Sequence, residues 1–187
     1  MADLITKWAT QVAETELSSE LPRRWAHTKG VAQRAADVQR LLGMSGNLLL
    51  AAATLHDIGY APRLAVTGFH PLDGARFLRD EHGADKQLVR LVANHSFALL
   101  EAEERGVREV LASEFPLLEE PLLVDALVYC DMTTTLDGGR TTAEERVAEI
   151  RGRYGDDSVV GRFMRRAAPE IFAAVGRVKA VLAAQPR

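Results

Sequence analysis

Apolar residues recur along this chain at spacings of three and four, and runs that alternate apolar and polar at every second position are nearly absent. A period near 3.6 is that of a helix with one buried face. The segments that carry it are rich in Ala, Leu, Arg and Glu, which enter helices at little cost. The pattern predicts helices at about 3–17, 22–42, 46–58, 70–82, 85–95, 98–113, 119–136, 141–154 and 157–184. Gly and Pro punctuate them. Pro22 suits a first turn, Gly43 and Gly46 bracket a short connection, Gly59 and Gly83 stop helices, Pro116 and Pro121 flank a junction, and Pro169 is expected to kink or split the last helix. With no repeat or low-complexity tract, the expected architecture is an all-α, single-domain helical bundle over 1–187.

Several apolar stripes end in polar residues. Leu49, Ala52, Ala53 and His56 share one helix face, as do Leu88, Leu91, Val92 and His95, and Val124, Leu127, Val128 and Asp131. His27 begins a stripe with Val31, Ala35 and Val38, and His70 precedes Gly74, Phe77 and Leu78 at helical spacing. Asp57 follows His56, about 100° further round a helix that is apolar on nearly every side. A lone carboxylate in such a setting costs several kcal/mol unless it is protonated, paired or metal-bound. No Lys or Arg falls between Leu41 and Pro62. Taken singly, an inward His is more often a hydrogen-bonded core residue than a ligand. Four inward His with two inward Asp reverse that preference, and imidazole with carboxylate suits Mn, Fe, Co, Ni or Zn.

Composition narrows the setting. The 187 residues are 47% hydrophobic, enough for one core, and 23 basic against 26 acidic residues leave a net charge of −3 and no broad grip on nucleic acid or anionic lipid. Cys130 is the lone cysteine, and Asp3, Lys7, Glu14, Glu16 and Glu20 interrupt the segment where a secretory signal would lie. The longest nearly apolar stretch, Leu48 to Leu55, is far shorter than the roughly 20 residues a bilayer needs. The expectation is a soluble, cytoplasmic protein with no membrane partner; a homo-oligomer remains open.

The residues Leu55-His56-Asp57-Ile58-Gly59, with His27 before them and Asp131 after, resemble the HD-domain superfamily of metal-dependent phosphohydrolases, of the HDIG type. The resemblance covers residues 27–131 and implies a bundle in which His27, His56, Asp57 and Asp131 hold one ion. His70 and His95, placed between the His-Asp pair and the last Asp, are similar to the two-metal branch, which includes the HD-GYP phosphodiesterases, the diadenosine tetraphosphate hydrolases and the HD-type mixed-valent di-iron oxygenases. There Asp57 would bridge, and His70 and His95 would complete a second ion. The resemblance places a metal-binding core at about 22–136, with the C-terminal helices at about 141–184 packed on it. His70-Pro71-Leu72-Asp73-Gly74 resembles the His-x-x-x-Gly helix start of that branch. Two departures stand out. Position 60 is Tyr, where related phosphodiesterases carry Lys and single-metal nucleotidases often carry Glu, and no Gly-Tyr-Pro follows His95, so cyclic di-GMP is not assigned.

The resemblance implies cleavage of a phosphate ester or anhydride of a nucleotide or other small phosphorylated metabolite. Two ions about 3.5–4 Å apart hold a bridging water, lower its pKa and present hydroxide to phosphorus. The expected cofactor is a pair of divalent transition-metal ions, Fe or Mn, with Ni, Co and Zn sharing the ligand chemistry. Asp57, His56 and Arg63 are the expected catalytic residues, and Tyr60, Arg63, Thr134 and Arg140 the candidates for touching substrate. Alternatives keep the same ligands but make the domain a di-iron oxygenase, favoured by Tyr60, or a nucleotide-sensing module without turnover. Asp73 and Asp125 are candidate partners for ligand imidazoles, with surface or helix-terminal roles ranked ahead. His82 is placed outside the site, and Arg162, Arg165 and Arg166 are read as a solvated helix face.

Overall fold

The computed structural model describes residues 2–185. The chain runs through α1 (Ala2–Leu17), α2 (Pro22–Val38), α3 (Gly46–Leu55), α4 (His70–Asp80), α5 (Lys86–Asn94), α6 (Ala98–Glu104), α7 (Arg108–Glu114), α8 (Pro121–Met132), α9 (Ala143–Tyr154) and α10 (Val159–Ala183). Short 3₁₀ turns join several of them, and among the described residues there is no β-sheet, only an isolated bridge between Thr134 and Arg140. The expectation of an all-α fold holds.

α3 lies at the centre of the first apolar cluster and packs against α1, α2, α5 and α8. Its Leu49, Ala51, Ala52, Ala53 and Leu55 are fully buried, which the near-continuous apolar run 48–55 requires. Three small side chains among them let neighbouring helices approach closely. A second apolar cluster joins α8 to α9 and α10 through Val128, Met132, Val147, Ile150, Phe163, Met164, Ile171 and Val175. α8 therefore has apolar residues on all sides: Leu123, Leu127 and Cys130 face the first cluster, Val128 and Met132 the second.

The departures from the expected helices have local causes. α2 stops at Val38, four residues early, where the chain tightens into a 3₁₀ turn that contains Gly43 at φ 52°. A window within 22–60 is apolar enough to cross a membrane by composition, but that segment contains this break and its longest uninterrupted α-helix has 17 residues. The expected helix over 98–113 divides into α6 and α7 at Gly106, φ 72°. Pro169 does not divide the last helix, because α10 continues through it for 25 residues.

Between α3 and α4 the glycines of two motifs meet. A Cβ on Gly59 would lie 2.0 Å from the His70 carbonyl oxygen and 2.6 Å from the Gly74 nitrogen. Gly59 thus does more than end a helix: it lets the turn after Asp57 press directly on the first turn of α4.

Candidate metal centre

α3 ends at Leu55, so His56 and Asp57 fall in the turn beyond it rather than in the expected helix to 58. That turn aims both side chains at the space enclosed by α2, α4, α5 and α8. His27 comes from α2, Asp131 from the last turn of α8, His70 from the first position of α4, and His95 from just beyond α5. The six side chains converge as two sets of potential metal ligands, His27, His56 and Asp57 on one side and Asp57, His70 and His95 on the other, with the ligand atoms of each set all within 4.8 Å of one another. Asp57 belongs to both. Asp131 joins the first set, with its Oδ1 3.1 Å from His27 Nε2 and 3.9 Å from His56 Nε2.

The imidazoles are oriented by main-chain carbonyls. His27 Nδ1 lies 2.9 Å from the Thr135 oxygen, His56 Nδ1 2.8 Å from that of Ala53, and His95 Nδ1 2.7 Å from that of Val92. Since a carbonyl only accepts, each Nδ1 carries the proton and each Nε2 presents a lone pair inward when the ring is neutral. His56 Nε2 is buried without a hydrogen-bond partner, and the Nε2 atoms of His70 and His95 are 3.2 Å apart. A cation bound among these nitrogens would satisfy them. The residues present therefore fit divalent ions, with His27, His56, Asp57 and Asp131 able to hold one and Asp57, His70 and His95 another.

Electrostatics agree with that fit. Burial works against protonation of His70 and His95 and lowers both below the ordinary histidine value. Burial opposes a charge on His56 as well, but Asp57 and Asp131 outweigh it and raise its pKa to about 9. Burial opposes ionisation of Asp57, yet Arg24 and His56 hold it well below the usual carboxylate range. Burial likewise opposes ionisation of Asp131, which His27 and His56 overcome. Both carboxylates are thus held ionised, the form that can ligate a cation.

Arg24 is not among the expected site residues, yet its Nη1 donates to Asp57 Oδ2 at 2.8 Å. Its guanidinium lies 4.0 Å from the centre of the Tyr60 ring, and that ring stacks on His70 with centroids 3.9 Å apart and planes 17° from parallel. Tyr60 is therefore sandwiched between a cation and a candidate ligand. Its signal was available: Arg24 precedes His27 by three residues on one helix, so both lie on one face. On the opposite side, Ser96 Oγ donates to Asp131 Oδ2. Ser96 and Phe97 take left-handed backbone conformations, φ 49° and 64°, each costing of the order of 1–3 kcal/mol for a non-glycine residue.

The other expected substrate residues are not brought to the cluster. Arg63 forms a two-pronged ion pair with Glu16 at 2.7 and 2.6 Å, because extended backbone at Ala61 turns the chain away from the site. Arg140 pairs with Asp37 at 2.8 Å after the loop at Gly138 and Gly139 carries it past α2. The Thr134 hydroxyl donates to the Cys130 carbonyl at 2.7 Å and so caps the end of α8. Asp73 receives the Thr67 amide and hydroxyl and the Gly68 amide, bracing the loop into α4, and Asp125 pairs with Arg177. Neither Asp73 nor Asp125 reaches an imidazole. His82 packs edge-on against Trp8 and Phe77, away from the cluster, and Arg162 and Arg166 pair with Glu104.

A cleft opens onto the cluster. Asp57, His70, His95 and Asp131 form one side with Arg24 and Tyr60; α9 and α10 supply the other through Arg146, Ile150, Arg153, Phe163 and Met164. An all-helical domain whose interior converges on four histidines and two aspartates has the donor set to hold metal ions. Residues 24–132, more than half of the chain, match the model of the HD domain family, and the chain belongs to that family. No curated protein and no solved structure matches it. The family assigns a metal-dependent phosphohydrolase superfamily, and the match ends before α9 and α10 begin.

Proposed function

We propose that this protein is a two-ion phosphohydrolase that cleaves a P–O ester or anhydride bond of a small phosphorylated molecule, with Fe or Mn as its metal. The observation that supports this most is the sharing of Asp57 between two three-ligand sets of converging imidazole nitrogens, one of which, His56 Nε2, is buried without a partner. His27, His56, Asp57 and Asp131 would hold one ion, and Asp57, His70 and His95 the other. Ions bound there supply Lewis acidity and a water acidic enough to give hydroxide near neutral pH.

The chain's own residues do the rest. Arg24, beside Asp57, offers its guanidinium to non-bridging phosphate oxygens, where charge-assisted hydrogen bonds strengthen as charge builds in the transition state. It takes the place of the Lys that related phosphodiesterases carry at position 60. Tyr60 keeps Arg24 and His70 in register by stacking between them. Ser96 occupies Asp131 Oδ2 and leaves Oδ1 toward His27 and His56. In the overall reaction, the oxygen of one water bonds to phosphorus, the P–O bond to the leaving group breaks, and the leaving group departs with a proton from that water.

The oxygenase reading drew on the absence of a cation at position 60, and Arg24 supplies that cation. The sensing reading leaves an intact ligand set without a task. The deciding experiment is elemental analysis of protein loaded with Mn or Fe, paired with phosphate release from a panel of small phosphoesters with and without oxygen or chelator. About two ions per chain and oxygen-independent, chelator-sensitive release are expected. Product formed only with oxygen, or ligand binding with no product at all, would overturn the proposal.

A further inference from the structure

Arg146 is charged and only 5% exposed, and it lines the metal cleft from α9, outside the part of the chain that matches the family. Its Nη1 donates to Glu149 Oε2 at 2.6 Å, but its Nε is buried with no partner. A guanidinium N–H left without an acceptor in the interior is costly, and a bound anion removes that cost. Arg153, about two turns further along the same face of α9, borders the same cleft and lies 3.4 Å from the other oxygen of Glu149. One half-exposed glutamate therefore serves two arginines and leaves an excess of positive charge. Arg146 also borders a second recess, but Arg23 and Asp137 there are paired with each other, so nothing in it calls for an anion. Ile150, Phe163 and Met164 line the same cleft and give it an apolar wall.

We infer that Arg146, assisted by Arg153, forms an anion subsite for the end of the substrate remote from the metals. This rests on the phosphohydrolase reading. The substrate class is then a small molecule with a phosphate at one end, a second anionic group such as a carboxylate at the other, and a short apolar span between. Size agrees. The space open to water in the cleft is about 80 Å³, which suits a compact molecule of this kind.

The test is calorimetric and needs no turnover. Mn-loaded protein is titrated with phosphonoacetate, which carries both groups, and with ethylphosphonate, which lacks the carboxylate. Phosphonoacetate is expected to bind about 10- to 100-fold more tightly. Arg146→Met should bring the two affinities together, Arg146→Lys should restore part of the gap, and Arg153→Gln should narrow it without affecting the core. Equal affinities for the unaltered protein would overturn the subsite while leaving the phosphohydrolase reading intact, and this comparison does not depend on any variant folding. A gap that persists in folded Arg146→Met would overturn the role of Arg146. Failure of both phosphonates to bind would overturn the phosphate reading and the subsite with it.

Discussion

The two sides of the cleft are built on different principles. The side formed by α2 to α8 concentrates ligand atoms: six side chains within a few ångströms, three of them braced by main-chain carbonyls, all inside the family match. The side formed by α9 and α10 has no ligand set. It contributes arginines and apolar surface, and it is attached through the second apolar cluster along α8. The difference teaches that, on the proposed reading, chemistry and selectivity reside in separate parts of the chain. One side would fix where the reacting bond sits, and the other would decide which molecules bring a bond there.

Substitutions can break that division or sharpen it. The largest effect is expected for Asp57→Ala, which removes the residue common to both ligand sets. Turnover should fall by about 1,000-fold, with metal lost from both positions; near-normal activity would abolish the distinction between the two sides. His70→Ala should cost about 100-fold in activity and lower the metal content from about two ions to about one, with the helical circular dichroism retained. Full activity would reduce the site to a single ion. Tyr60→Leu, which removes the stack between Arg24 and His70, should weaken metal binding by about 10-fold or more, and Tyr60→Phe should restore most of it in a competition assay.

Across the cleft, Met164→Leu keeps side-chain volume and should cost less than about 1.5 kcal/mol of stability. It should leave metal content unchanged while altering the relative kcat/KM of competing substrates; a change in metal content would show that the wall and the metal site are not separable. The smallest effect concerns Glu114, which ties α7 to α4 through Arg76 and Arg79 and whose carboxyl they hold below its ordinary value. A lowered folded-state pKa gives stability that is present above the unfolded value of about 4.5 and lost as pH falls through the folded value. Glu114→Gln should therefore cost at most about 1 kcal/mol in denaturation at pH 7, and the difference should shrink in acid.

What could be read from the chain alone follows the same division. His27, His56, His95 and Asp131 each extend an apolar helical stripe, so their inward direction was written in spacing, and all six expected ligands do converge. Substrate contacts were harder. Arg63 lies six residues beyond Asp57, but the backbone leaves the helical path at Ala61 and delivers it to Glu16. Thr134 lies three residues after Asp131, but its hydroxyl is drawn to the end of α8, and Arg140 is drawn to Asp37. Arg24 lies at helical spacing from His27, a signal carried by neither a His nor an Asp. Arg146 had none, because its place depends on how α9 packs against α8, a long-range contact that no local pattern encodes.

The contact between Gly59 and Gly74 carries a further consequence. Main chain rests on main chain there, so the gap between His56 and His70 is set without any side chain that could be trimmed or exchanged. A single added methyl group would act as a wedge between the two halves of the floor. Drift elsewhere in the sequence can retune the wall opposite, residue by residue, while the floor stays to scale, and one reaction can thereby be offered to a succession of different molecules.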